Sequence, residues 1–316
     1  MATPTRLVID CDPGIDDAVS LALAIGSPEI DLRAVTTVAG NVPVELTTNN
    51  ALRILRAFGR EDVPVARGAA RALVRVPRAH PPVHGSNGLG GVDLPPSATP
   101  PRAEHAVYFL ASLLREAQTR SVTIAAIGPL TNIALFVALH PELIDRIDRL
   151  VVMGGAVGQG NITPVAEFNI WADPEAAHRV LTGSDLDICL IGLDVTQKAT
   201  IDERGLAALR AGSDRGGLLA EMIAGYADRG PDGWPLHDVV AIAAIIDPTL
   251  IRTRPALIEV DTGFGIGRGQ TVCSFTRSPA AGNGDAPHAT TRTQIAVDLD
   301  VERFREMILA RVAAGA

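Results

Sequence analysis

Residues 6–27 read RLVIDCDPGIDDAVSLALAIGS. The apolar run Leu7-Val8-Ile9 predicts a buried strand over 6–10. Asp16 and Asp17 then open a predicted helix over 16–27, where acids in the first turn complement the helix dipole. Pro13-Gly14 supplies the sharp turn between the two elements. The same alternation recurs downstream, with further strands predicted at 32–40, 63–68, 121–128, 149–155 and 187–195. Helices are predicted from Pro43 through Phe58 and at 104–118, 129–140 and 173–183, and HDVVAIAAIID (237–247) reads as another buried helix. Near-continuous apolar strands separated by helices predict an open, mostly parallel, Rossmann-like α/β sheet covered on both faces. Strands near 257–263, 270–276 and 293–299, then a helix over 300–313, add an antiparallel part near the C-terminus. No internal repeat or linker interrupts the pattern, so one domain spanning 1–316 is expected.

Composition narrows the function. Lys plus Arg number 28 against 36 Asp plus Glu, a net charge of −8. That balance argues against a nucleic-acid partner, which needs a basic face, and against adhesion to an anionic membrane. No apolar run approaches the ~18 residues of a membrane span. The N-terminus reaches Asp10 too early for a signal-peptide core, so a cytoplasmic protein is expected. Cys11, Cys189 and Cys273 are scattered and form no CxxC, which leaves neither a disulfide framework nor a structural zinc site. Lys198 is the only lysine, and no phosphate-binding GxxxxGK[ST] motif exists. GFGIGRG (263–269) is glycine-rich without the dinucleotide spacing. The Pro/Gly-rich stretch 77–101 is expected to be a functional or mobile loop, and 278–290 an exposed loop or hairpin tip.

Open α/β sheets bind ligands beyond the carboxyl ends of their strands. The first strand delivers Asp10, Asp12, Asp16 and Asp17, four carboxylates within eight residues. Packed together they repel, and some stay protonated unless a cation sits among them. Oxygen ligands with no His or Cys nearby favour Ca²⁺ or Mg²⁺ over zinc. The bland alternative has Asp16 and Asp17 capping the helix while Asp10 and Asp12 merely end the strand. Other strand ends are polar too: Asn41 after the second, Thr131-Asn132 after the fourth, then Met153, Asn161, Glu167 and Asn169 after the fifth. Together these amides and carboxylates predict a pocket for a ligand bearing many hydroxyls. His237-Asp238 places an imidazole and a further acid at the start of the late apolar helix. Trp234, just before that pair, either stacks on a purine or packs in the core.

DCDPGIDDA (10–18) resembles the signature of the nucleoside hydrolases, the inosine–uridine-preferring family of N-ribohydrolases. VAGN (38–41), the HG of HGSNGLGG (84–91), IGPLTNIA (127–134), MGGA (153–156), NITPVAEFNIWADPEAA (161–177), PLHD (235–238) and RGQT (268–271) follow in that family's order. The resemblance covers essentially the whole chain. It implies a Ca²⁺ held by Asp12, Asp17, Asp238 and the backbone carbonyl of Ile127, with a water in the ion's shell as nucleophile and Asp12 as its general base. It further implies that Asp16 and Asn169 hold the ribose 2′-hydroxyl, Asn41 and Asp238 the 3′-hydroxyl, and Asn161 and Glu167 the 5′-hydroxyl. His237 would protonate the leaving nucleobase, and His84 and Tyr226 would close over it. The family often carries Asp where this chain has Asn87, a difference that touches loop closure and base preference. A homodimer or homotetramer, acting on small-molecule ribonucleosides in nucleoside catabolism or salvage, is also implied.

The chemistry of the residues agrees. N-glycosidic cleavage passes through an oxocarbenium-like state, which a carboxylate floor stabilises. Two other readings are weighed. A phosphohydrolase of the haloacid-dehalogenase type also begins with DxD, but it needs a supporting lysine and a different residue pattern after the second Asp. A non-catalytic nucleoside- or ribose-binding protein uses the same pocket without needing a base.

Overall fold

The computed structural model of the protein describes residues 3–75, 83–275 and 293–313. The expected loop at 278–290, and residues 77–82 of the loop expected at 77–101, lie outside them. Strands are β1 (Thr5–Cys11), β2 (Ile30–Thr37), β3 (Val65–Arg67), β4 (Val122–Ala126), β5 (Ile147–Met153) and β6 (Ile188–Ile191), then β7 (Thr200–Ile201), β8 (Trp234–Pro235), β9 (Ile251–Pro255), β10 (Leu257–Val260), β11 (Thr271–Ser274) and β12 (Thr293–Leu299). Helices are α1 (Ile15–Ile25), α2 (Val44–Ala57), α3 (Ala106–Arg115), α4 (Thr131–Leu139), α5 (Phe168–Ala172) and α6 (Pro174–Gly183), then α7 (Leu193–Thr196), α8 (Glu203–Gly212), α9 (Asp214–Ala224), α10 (Val239–Ile246) and α11 (Val301–Val312).

Eight strands form the main sheet in the order β3-β2-β1-β4-β5-β6-β12-β9. Pairing is parallel throughout except β9, which runs antiparallel beside β12. The hairpin β10-β11 supplies the other antiparallel addition. Strand side chains alternate between two cores, as a period of two requires. Leu7, Ile9 and Cys11 of β1 join the core containing α1, α9, α10 and α11, while Val8 joins that of α3, α4 and α6. Every residue of α10 but the last, Ile246, is buried, consistent with its unbroken apolar sequence. Among the described residues no helix is long and apolar enough to cross a membrane.

The predicted strand over 187–195 ends early. β6 stops at Ile191, and Leu193–Thr196 turns into α7 behind Gly192. Pro43 occupies the N-cap of α2, not its first turn. The pair α8-α9 had no counterpart in the sequence reading. Glycines 205, 212, 216 and 217 lower its helix propensity, yet burial of Leu206, Leu209, Leu219, Met222 and Ile223 overrides them, and Asp202 and Ser213 cap the two starts. The edge strand β9, IRTRP, is mostly exposed and carries no apolar signal.

α11 docks through Phe304, Ile308 and Val312, with Phe304 wholly buried. Phe304→Ala is expected to destabilise the fold by about 3–5 kcal/mol, read as a lower urea midpoint with an unchanged m-value. A loss below about 1 kcal/mol would mean the helix is not docked this way.

Candidate active site

In the strand order, β1 runs on to β2 and β3 on one side and to β4, β5 and β6 on the other. A ligand crevice is expected where the order reverses, between the carboxyl ends of β1 and β4. A cavity of about 300 Å³ opens there. Asp12 enters it just after β1, Asn41 after β2, Ile127 after β4 and Met153 at the end of β5. Asp16 comes from α1, Asn169 from α5 and Asp238 from the N-cap of α10.

Asp12, Asp16, Asp17 and Asp238 are all buried. The backbone N–H groups of Asp12 and Gly14 donate to Asp17 at 3.3 and 2.8 Å, so the Pro13-Gly14 turn folds Asp17 back onto the strand end. Asp17 thus caps α1 as well as joining the acid group. Asn41 N–H donates to Asp12 Oδ2 at 2.6 Å, and its amide donates to the Asp12 carbonyl at 3.3 Å. Asp12 Oδ1 and Asp16 Oδ1 are buried with no hydrogen-bond partner among the described residues. Glycine is forced at two flanking positions. A Cβ on Gly40 would stand 2.0 Å from Asp12 Oδ2, and one on Gly128 2.5 Å from Asp12 Oδ1.

Burial, then the charge of Asp17, pushes the Asp12 carboxyl well above its ordinary range. Burial, then Asp16, does the same to Asp238, and together they push Asp17 up to about 7. Asp16, Asp17 and Asp238 each offer an oxygen within 4.8 Å of the others, a spacing that fits one cation. Two orphaned carboxylate oxygens in an all-oxygen setting suit a hard divalent ion. The trio shares Asp17 and Asp238 with the set implied by resemblance, and holds Asp16 where that set has Asp12. The Ile127 carbonyl faces the cavity and accepts from the Asn169 amide at 3.0 Å.

Asp10 stands apart from the other three acids of its motif. It belongs to the opposite face of β1, where Thr36 hydroxyl and Asn132 amide donate to its Oδ1 at 2.6 and 2.8 Å. Burial pushes its carboxyl up to about 6. Of the four clustered acids, Asp16 and Asp17 thus belong to the ion-sized group and Asp12 lines the cavity, while Asp10 does neither and Asn132 is its support.

Glu167 caps α5. Its carboxylate accepts from the N–H groups of Asn169, Gly155 and Ile170 at 2.8, 2.9 and 3.1 Å, while burial raises its carboxyl. Asn161 Oδ1 accepts from Phe168 N–H at 3.0 Å. At the opposite end, His84 stacks on Tyr226 with centroids 4.8 Å apart, and His84 Nδ1 accepts from Ile15 N–H at 3.1 Å. His237 Nδ1 lies 2.8 Å from Thr196 Oγ1. Its Nε2 lies 4.0 Å from the Asp228 carboxylate, which His237 holds below its ordinary pKa. Every residue given a metal, catalytic or substrate role by the resemblance lines the cavity except Asp17, which is buried and bonded to the backbone of Asp12 and Gly14, whereas Asp10, Asn87, Thr131, Asn132 and Trp234 do not line it. Asp228 and Thr196 were not singled out, since a loop acid and a buried threonine carry no motif. Trp234 packs: it is buried, its indole N–H donates to the Tyr226 carbonyl at 3.2 Å, and Arg229 covers its ring. Asn87 braces its own loop, accepting from Leu89 and Gly91 N–H and donating to the Val92 carbonyl.

The sequence model for inosine-uridine preferring nucleoside hydrolases matches residues 7–306. The pyrimidine-specific ribonucleoside hydrolase RihA of Klebsiella pneumoniae is 41% identical over 320 residues, covering 99% of each chain. The protein of the same name from Escherichia coli O127:H6 is 40% identical over 319 residues, again covering 99% of each. Among solved structures, the plant nucleoside hydrolase PpNRh1 superposes with a TM-score of 0.91 at 33% identity, covering 98% of this chain and 99% of its own. The purine-preferring ribonucleoside hydrolase from Gardnerella vaginalis gives 0.88 at 33% identity with the same coverage.

The raised carboxyls carry a signed consequence. An acid whose folded-state pKa is raised binds protons more readily when folded. Its contribution to stability is full below the unfolded value and is lost as pH rises through the folded one. For Asp10 and Asp17 that window runs from 3.8 to about 6 and about 7. A cation among the carboxylates reverses the loss by favouring their ionised forms. The rise in Tm produced by added calcium is therefore expected to grow between about pH 5 and about pH 8; an increment constant across that range in scanning fluorimetry would contradict it.

Proposed function

The chain belongs to the inosine-uridine preferring nucleoside hydrolase family, and from that membership we propose that it hydrolyses the N-glycosidic bond of ribonucleosides, giving free nucleobase and ribose, with Ca²⁺ as its ion. The observation that carries the reading is the buried acid group, Asp12, Asp16, Asp17 and Asp238, on the floor of a cavity walled by amides and rimmed by imidazoles. Pyrimidine nucleosides are the proposed preference. RihA, named pyrimidine-specific, is 41% identical, against 33% for the purine-preferring hydrolase.

Asp12, Asp17, Asp238 and the Ile127 carbonyl would hold the ion. When bound, it would orient the ribose diol beside the attacking water and make that water more acidic. Asp12 Oδ1 takes the water's proton, because Oδ2 is already held by Asn41 N–H. Asp16 and Asn169 hold the 2′-hydroxyl, Asn41 and Asp238 the 3′-hydroxyl, and Asn161 and Glu167 the 5′-hydroxyl. The same carboxylates stabilise positive charge as it builds on the sugar. His237 Nε2 passes a proton to the departing base, and His84 with Tyr226 covers that base. The phosphohydrolase alternative lacks its lysine: Lys198 pairs with Asp298 at 3.2 Å, half exposed and outside the cavity.

Purified protein with calcium is expected to release reducing sugar from uridine. Asp12→Asn should lower kcat on the order of 10³-fold while leaving the fold intact. Binding of uridine without ribose release by the wild type would favour the binding-protein alternative. On a panel of nucleosides, uridine and cytidine should exceed inosine in kcat/KM. 2′-Deoxyuridine should fall on the order of 10²-fold or more below uridine, because the groups that hold the 2′-hydroxyl are left unpaired. Equal turnover of uridine and its 2′-deoxy analogue would sink the assignment of Asp16 and Asn169.

A further inference from the structure

Thr196, the last residue of α7, is wholly buried and does not line the cavity. Its hydroxyl oxygen lies 2.8 Å from His237 Nδ1, and among the described residues it has no other hydrogen-bond partner. The other ring nitrogen, Nε2, points to the base end of the cavity, 4.0 Å from the cavity-lining Asp228 carboxylate. The main chain around the contact is fixed as well: Leu236 N–H donates to the Ala199 carbonyl at 2.8 Å, tying the segment before His237 to the segment after Thr196.

We infer that Thr196 is the positioning residue of His237, its hydroxyl engaging Nδ1 so that Nε2 alone faces the leaving nucleobase. The inference rests on the hydrolase reading above. A ring turned by 180° about its Cβ–Cγ bond would set a carbon against the hydroxyl and leave that hydroxyl buried without a partner, an unfavourable state. A hydroxyl both donates and accepts, so it accepts from Nδ1–H or donates to a bare Nδ1 without the ring moving. When the C1′–N bond breaks, its electron pair stays on the base nitrogen and the Nε2 proton moves there. Nδ1 keeps its bond to Thr196 Oγ1 throughout, so the geometry of the donor is the same before and after transfer.

The test separates leaving-group assistance from general damage. Uridine leaves as a base that needs a proton, whereas the phenolate of 4-nitrophenyl β-D-riboside leaves without one. Thr196→Val is expected to lower kcat on uridine about 10- to 100-fold with KM within about twofold, and to slow the nitrophenyl riboside less than about threefold. Thr196→Ser, which restores the hydroxyl, should recover uridine turnover to within about fivefold of wild type. Thr196→Ala carries the same expectation as the valine variant if the latter does not fold. Unchanged uridine turnover in Thr196→Val, an equal loss on both substrates, or no recovery in Thr196→Ser overturns the positioning role while the hydrolase reading stands. A wild type inactive on both substrates instead overturns the hydrolase reading, and this inference with it.

Discussion

The structure is organised around carboxylates buried at the end of β1 and at the starts of α1 and α10. Removing an ionised carboxylate from water costs several kcal/mol even after relaxation, and like charges nearby add to the cost. The fold answers differently for each acid. Asp10 is turned to the far face of the strand and receives Thr36 and Asn132. Asp17 receives two backbone N–H groups from the turn that it closes. Among the described residues, Asp12 and Asp16 each retain one oxygen with no hydrogen-bond partner, as Asp10 does with its Oδ2, but only Asp12 and Asp16 line the cavity, which is where the protein keeps its capacity for a cation. Close approach of the neighbouring backbones follows, and with it the glycines at 40 and 128, where any side chain would collide with Asp12.

Much of the fold was legible because its signals are local. β1, β2, β4 and β5 are near-continuous apolar runs, and α1, α4 and α10 begin where polar residues give way to apolar ones. What was not legible depends on tertiary contact. α8 and α9 carry four glycines, and they are helical because Leu209 and Met222 have a core to enter. β9 exists because β12 offers it a partner edge. β6 ends at Gly192, where the apolar sequence runs on but the chain turns helical.

The cavity shows the same division. Motif residues can be read in order, and those given a role by the resemblance converge on one cavity, with Asp17 buried beside it. Their orientation was not readable. Strand parity alone would put Asp10 and Asp12 on one side, but β1 ends at Cys11 and the chain turns there, so Asp12 enters the cavity while Asp10 meets Thr36 and Asn132. Thr196 is far from His237 in sequence and joins it only through the packing of α7, while Asp228 reaches it from the loop before β8.

The two ends of the cavity are built from different materials, and that has a chemical consequence. Most of the sugar end consists of residues placed by the ends of β1, β2, β4 and β5, by α1 and α5 and by the buried start of α10, with Asn161 added from an exposed loop position. The base end consists of His84, carried by the loop between β3 and α3, Tyr226 and Asp228, carried by the loop after α9, and His237 at the start of α10. A chain can therefore exchange loop residues facing the nucleobase while leaving the acid floor untouched, since the two sets share only the adjacent pair His237-Asp238. Proteins named pyrimidine-specific and purine-preferring both match this chain over nearly its whole length. Under the proposed reading, that pairing of one fold with different base preferences is what a rigid ribose site joined to a loop-built base site produces.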